Sequence, residues 1–214
     1  MSRPQRIVVA SGNGHKVKEL AAMLSAAPGS VEVVGLEAYP EAPEIAETAE
    51  TFAGNAALKA RGIADWLANL GEPGDTAVLA DDSGICVDAF GGAPGVRSAR
   101  FAGEDATDAD NNTKLVATLQ SSGRTSSPAH YVCVLAVCRV DGAPLRGEAM
   151  LHFEGHWPVE VRTSPRGTGG FGYDPHAWLD GERTVAELTA DEKAERSHRG
   201  SALRAMLAAW PWSD

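Results

Sequence analysis

The chain has few cysteines, a shortage of positive charge and no long apolar run, and each of these narrows what it can be. Its three cysteines, Cys86, Cys133 and Cys138, cannot all pair. Cys133 and Cys138 stand five apart in one expected strand and so face opposite sides; all three read as reduced core residues. Lys and Arg total 19 against 29 Asp and Glu, a formal charge of −10 over 214 residues. A surface of that sign repels nucleic acid phosphates and anionic membranes, so an anionic ligand needs a local pocket of donors or a bridging cation. The apolar run near the start, Ile7 to Ala10, is too short for a signal-peptide core or a membrane span. The expected compartment is the cytoplasm, with neither nucleic acid nor membrane as partner.

At 43% hydrophobic residues the composition is ordinary for a globular protein with a sizeable core. No repeat of fixed period is visible. Arg6 to Ala10 reads as a strand, and Val17, Leu20, Ala21 and Leu24 recur at helical spacing after a polar loop. Val31 to Leu36 reads as a second strand, followed by a turn-rich acidic stretch with Pro40 and Pro43. Phe52, Ala56, Ala60, Ile63 and Leu67 then form a helical stripe. Thr76 to Ala80 is an expected strand, with Ile85 to Phe90 either its continuation or its partner beyond a Ser83-Gly84 turn. Asn111 to Gln120 reads as a helix, SSGRTSSP as a surface loop, and Tyr131 to Val140, apolar on both faces, as a central strand. Asp141-Gly142 is a hairpin turn into Leu145 to Phe153. Thr184/Glu187 and Thr189/Glu192 have capping-box spacing, and Leu203, Met206, Leu207 and Trp210 mark a last amphipathic helix. Strands with intervening helices and one hairpin imply a single α/β or α+β domain on a mixed sheet.

Against that background, VLADDSGICVDAF stands out. Two adjacent carboxylates, Asp81 and Asp82, follow an apolar run that reads as buried strand, and an ionised carboxylate out of water needs a cation or donors. A turn carboxylate capping Ser83-Gly84 explains one of them but not both. Hard oxygen ligands of this type suit Mg²⁺ with substrate phosphates.

Three other stretches carry donors. In SGNGHKVKEL, Ser11, Gly12, Asn13 and Gly14 lie between strand and helix, where backbone N–H groups and the helix dipole attract anions, and Lys16 adds a charge. An ordinary strand-to-helix turn has the same letters, and neither a Walker loop nor a dinucleotide fingerprint fits, since Val17 stands where the third Gly belongs. Asn55 and Lys59 sit one helical turn apart at the edge of the apolar stripe, with Glu47 and Glu50 upstream. GTGGFG, Gly167 to Gly172, matches the dinucleotide spacing, but Pro175 disfavours the helix that motif requires. Its glycines instead let the chain pass close to a ligand, with Phe171 as an aromatic face for a base, or form a structural loop with a core Phe. In SHRG, Ser197 is an N-cap and His198 and Arg199 place donors in the first turn, Arg199 against the helix dipole, with Lys193 just upstream.

Taken in order, SGNGHKVKEL, ETFAGNAALKA, LADDSGICVDAFGGAPGVRSARFAG, NNTKL, GTGGFGYDP and AELTADEKAERSHRGSAL resemble the inosine/xanthosine triphosphate pyrophosphatase family, the Ham1-like house-cleaning nucleotidases. The likeness spans almost the whole chain. It implies an elongated mixed α/β fold, a homodimer, Mg²⁺ dependence, and hydrolysis of dITP, ITP and XTP to the monophosphate and pyrophosphate. By motif position it implies that Ser11, Gly12, Asn13, Gly14, His15 and Lys16 cradle phosphates, supported by Asn55 and Lys59. It implies that Glu47 and Asp82 hold the metal, with Asp82 also the base for the attacking water, Ser83 beside the substrate and Asp81 a supporting carboxylate. Phe171, Gly172, Tyr173, Asp174, Lys193, His198 and Arg199 would form the base pocket. Hypoxanthine and xanthine present an acceptor at position 6 where adenine presents an amino donor that leaves the pocket's donors unpaired. Competing readings are a Maf-like nucleotide pyrophosphatase, against which the FGYD and SHRG blocks argue, and a nucleotide sensor that binds without turnover.

Overall fold

A computed structural model describes residues 6–25 and 31–209. Seven strands form one mixed sheet in the order β2-β1-β3-β4-β5-β6-β7: β1 Arg6–Val9, β2 Glu32–Gly35, β3 Ala77–Val87, β4 Ser126–Arg139, β5 Leu151–Arg162, β6 Ala177–Leu179 and β7 Arg183–Thr184. β1 pairs parallel with both β2 and β3, whereas β5/β6 and β6/β7 are antiparallel. The helices are α1 Gly14–Leu24, α2 Phe52–Leu70, α3 Asp108–Ser121, α4 Ala190–Arg196 and α5 His198–Ala208. The mixed α/β class expected from the sequence is the observed one.

The chain divides into two compact units. The first comprises residues 1–82, 134–154 and 201–214. Its β1–α1–β2 start follows the β-branched run and the helical spacing, with Ile7, Val8, Val9, Leu20 and Leu24 buried. α2 buries Asn55, Ala56, Ala60, Ile63, Ala64 and Leu67, the expected stripe with a polar residue inside it. That helix begins at a Thr51 cap whose Oγ1 accepts the Gly54 N–H and ends at Gly71, left-handed at φ 81°, as a glycine C-terminus requires.

The second unit comprises residues 83–133 and 155–200. Its core gathers Ile85, Val87, Leu115, Leu119, Tyr131, Trp157, Val161, Tyr173 and Leu179 among others. Both expected capping boxes form, Thr184 with Glu187 over a 3-10 turn and Thr189 with Glu192 at the start of α4.

Four expectations change, the first being that β4 begins at Ser126, inside the expected SSGRTSSP loop, rather than at Tyr131. Ser83-Gly84 is not a turn: β3 runs unbroken from Ala77 to Val87, which settles the open alternative as continuation, though Phe90 falls in a 3-10 turn beyond it. Gly84 is needed there because a Cβ would collide with the Gly95 carbonyl and the Ser98 hydroxyl. The strand after Asp141-Gly142 starts at Leu151 rather than Leu145, because Arg146 and Gly147 both take positive φ in a tight turn closed by a Leu145–Glu148 bridge. α3 starts earlier than Asn111, since Thr107 and Asp110 form a capping box, and it ends inside the expected loop at Ser121. The dinucleotide reading of Gly167 to Gly172 stays excluded, for no helix follows it. Trp210 lies outside the described residues.

Candidate active site

In the first unit β3 carries Asp81 and Asp82 inward, 1% and 4% exposed. The two are answered differently. Asp81 Oδ1 is 2.6 Å from Lys16 Nζ, an ion pair with Asp81's side chain fully buried. Asp82 Oδ1 lies 3.2 Å from Lys59 Nζ, and the same ammonium is 2.6 Å from Glu47 Oε1. Asp82 Oδ2 is buried and has no hydrogen-bond partner among the described residues. Burial pushes the Asp82 pKa up and the Glu47 charge adds to it, outweighing Lys59 and Lys16. Burial pulls Lys59 down, but Asp82 and Glu47 overcome it and its pKa ends raised.

Asn55 explains how Glu47 is held. Its Oδ1 accepts the Ala49 N–H at 2.9 Å, fastening the segment that carries Glu47 to α2, while its buried Nδ2 meets no described partner. The Lys16 side begins at the loop after β1. Asn13 is the N-cap of α1, with Oδ1 accepting from the His15 and Lys16 amides, and Ser11 Oγ accepts the Asn13 N–H. Asn13's amide oxygen is thus committed to the helix. A Cβ at Gly12 or Gly14 would touch nothing within 4 Å, so the space over this loop is open; His15 is exposed there.

The second unit holds the other predicted residues around Asp174, which is 4% exposed. Its Oδ2 accepts from Lys193 Nζ at 2.7 Å and from the Phe171 N–H at 3.0 Å, and its Oδ1 accepts from Tyr131 Oη at 3.1 Å. Gly170 permits this, since a Cβ would run into the Asp174 carboxylate. Lys193 Nζ stands 4.4 Å from the centroid of the Phe171 ring and the Arg199 guanidinium carbon 6.0 Å from it. Arg199, 1% exposed, donates to Ser83 Oγ at 2.9 Å. Its place in the first turn of a helix is therefore matched by a hydroxyl from β3. Ser197 Oγ accepts the Gly200 N–H and so caps α5 as the sequence predicts. His198 is stacked on Tyr131, centroids 4.8 Å apart at 9°. Tyr173 points its ring into the core and donates its hydroxyl to the Ser98 carbonyl at 2.8 Å; burial raises its pKa, keeping it a neutral donor.

The predicted residues thus form two groups. Lys16, Glu47, Asn55, Lys59, Asp81 and Asp82 gather in the first unit. Ser83, Phe171, Asp174, Lys193, His198 and Arg199 gather in the second, with the chain passing between units at the Asp82–Ser83 peptide bond. Sequence reasoning missed Tyr131, which reads as strand core, Trp157, which lies beyond the expected strand end at Phe153, and the α3 pair Asp108 and Asn112. Asp108 Oδ2 accepts the Gly172 N–H at 2.6 Å and Asn112 Nδ2 donates to the Gly172 carbonyl at 2.9 Å. Their spacing of four residues, one helical turn, was the available signal.

The fold is that of a mixed α/β protein, with buried carboxylates on lysines in one unit and cations over an aromatic ring in the other. The chain belongs to the Ham1 family, whose model matches residues 7–209. It is 43% identical over 203 residues to the dITP/XTP pyrophosphatase of Streptomyces coelicolor, covering 94% of this chain and 95% of that one. It is 45% identical over 206 residues to the dITP/XTP pyrophosphatase of Shigella flexneri, at 95% and 96% coverage. Among solved structures, a HAM1 protein from Coxiella burnetii aligns with a TM-score of 0.82 at 35% identity, over 97% of this chain and 99% of that one. The dITP/XTP pyrophosphatase of Mycobacterium abscessus aligns at 0.67 and 39%, over 94% and 98%. With such relatives across nearly its whole length, the chain is an enzyme.

Proposed function

We propose that this chain hydrolyses non-standard purine nucleoside triphosphates, dITP, ITP and XTP, to the monophosphate and pyrophosphate in a Mg²⁺-dependent reaction that clears deaminated purines. The observation that carries the reading is the buried Asp82, sharing Lys59 with Glu47 and retaining an oxygen without a donor. Among the described residues no three or more His, Cys, Asp or Glu side chains gather as a metal cage. One or two carboxylates are what Mg²⁺ takes from a protein when phosphates and water complete its shell. Asp82 and Glu47 would hold it, and its contribution would be to offset phosphate charge as water attacks the α-phosphorus.

The other steps belong to side chains. Lys16 and Lys59 face the negative charge that builds on the pyrophosphate, joined by the open loop over Gly12 and Gly14. Asp82, its pKa raised by burial, is a better proton acceptor than an ordinary carboxylate and takes the proton of the attacking water. In the second unit Phe171 offers a stacking face, and Lys193 and Arg199 offer donors only. A 6-oxopurine supplies an acceptor to them, while the amino group of adenine would face donors it cannot pair with. The homodimer and the cytoplasmic setting rest on the family resemblance. No helix among the described residues is long and apolar enough to cross a membrane.

Pyrophosphate release from ITP, XTP, GTP and ATP, with and without Mg²⁺, tests the reading. Rapid release from ITP and XTP in the presence of Mg²⁺ is expected, with ATP at least about 100-fold slower, the size of a discrimination based on unpaired polar groups. Equal rates for ATP and ITP, or full rates in chelator, would overturn it. Tight binding without release would favour the sensor.

A further inference from the structure

We propose that Tyr131 is a positioning residue for the recognition of the purine base, holding Asp174 and His198 in the arrangement that discriminates 6-oxo from 6-amino purines. The inference rests on the reading of Phe171, Lys193 and His198 as the base end. Tyr131 lies on β4, 6% exposed, and sequence periodicity assigns it to the core. A core tyrosine needs one acceptor for its hydroxyl and can find it on any nearby carbonyl. Tyr131 instead donates to a carboxylate, Asp174 Oδ1, at 3.1 Å.

That choice links it to three predicted residues at once. The other oxygen of Asp174 holds Lys193 Nζ at 2.7 Å and the Phe171 N–H at 3.0 Å. Orientation of the carboxylate therefore sets where the lysine stands over the aromatic ring and where the ring-bearing loop begins. The face of Tyr131 meanwhile lies nearly parallel to the His198 imidazole, with Trp157 6.2 Å from Tyr131 and 6.4 Å from His198, centroid to centroid. Two flat neighbours restrict the imidazole's rotation. Burial drives the Tyr131 pKa well up, so the hydroxyl remains a donor at any physiological pH.

Tyr131→Phe separates the two contributions, keeping the ring on His198 and removing the donor to Asp174. In the proposed reaction KM for ITP should rise roughly tenfold, the scale of one hydrogen bond to a charged group, with kcat at saturation within about twofold. The ITP-to-ATP preference should fall by a similar factor. Tyr131→Leu, which removes the stacking face as well, should in addition shift the imidazole proton resonances of His198. Direct ITP binding by calorimetry provides the same comparison independently of turnover. If Tyr131→Phe lowers the melting temperature but leaves KM, ITP affinity and the ITP-to-ATP ratio at wild-type values, the hydroxyl is a packing feature and the inference is overturned while the functional reading stands. If the wild type neither binds nor hydrolyses ITP, the functional reading fails and takes the inference with it.

Discussion

Asp82 shows at the scale of one residue how function and stability pull apart. Burial raises its pKa, so the folded protein binds that proton more tightly than the unfolded chain. Ionisation of Asp82 therefore costs stability, a cost absent at low pH that grows as the pH rises through the unfolded pKa and is complete above the folded one. Asp82→Asn should raise the thermal midpoint measured in chelator while reducing turnover by about 100-fold or more. Near-normal turnover would remove Asp82 from the mechanism. The adjacent residue gives the opposite result. Asp81 is fully buried beside Lys16, and Lys16→Met should cost about 3–5 kcal/mol in urea titrations, as when one partner of a buried pair is deleted. Adding Asp81→Asn should restore most of the loss. The sequence made the pair conspicuous, but two carboxylates in a row carry no mark of which one a lysine will neutralise. That distinction depends on α1 and α2 each delivering a lysine to a different oxygen.

Among the elements, the helix starts were the most legible and also set the acid limit of the fold. Asp110, Glu187 and Glu192 each accept the N–H of a capping threonine three residues earlier. The Thr107 hydroxyl, followed by its N–H, for Asp110, and the threonine N–H groups for Glu187 and Glu192 hold all three pKa values below the ordinary carboxylate range. A depressed carboxylate contributes stability that is complete above its unfolded pKa and is lost as pH falls through the folded one. The contribution of these three carboxylates should therefore be flat above about pH 5 and decline below about 4, and replacing Asp110, Glu187 and Glu192 with the corresponding amides should remove that part of the acid decline in denaturant titrations at a series of pH values. S/T-x-x-D/E is a local pattern, so the sequence could show it. The continuity of β3 through Ser83-Gly84 was not local. Gly84 reads as a turn residue, and only the approach of Gly95 and Ser98 reveals it as a glycine required for space within a strand. The α3 contacts to Gly172 were not local either: the four-residue spacing of Asp108 and Asn112 marks a shared helix face, but their partner is 60 or more residues away in the chain.

Over the whole molecule, composition predicted chemistry well where it concerned exclusion. None of the three cysteines is in a disulfide, and Cys133 and Cys138 are fully buried, with the Cys138 thiol pushed up to about 11 by burial; Cys86 is only half-buried and is not the core residue expected. Native protein at pH 8 should leave Cys138 unmodified by a disulfide reagent, whereas guanidinium should expose all three thiols; fast labelling of Cys138 in native protein would contradict its burial. The negative formal charge hides a finer arrangement that no sum of residues reports. In the resting protein Lys16 and Lys59, the cations best placed for phosphate, are already taken by Asp81, Asp82 and Glu47. A triphosphate arriving alone would have to evict those carboxylates and leave them stranded. Under the proposed reading, one arriving with its own divalent ion trades partners instead, anion for anion and cation for cation, at a corner where two lysines already face three carboxylates.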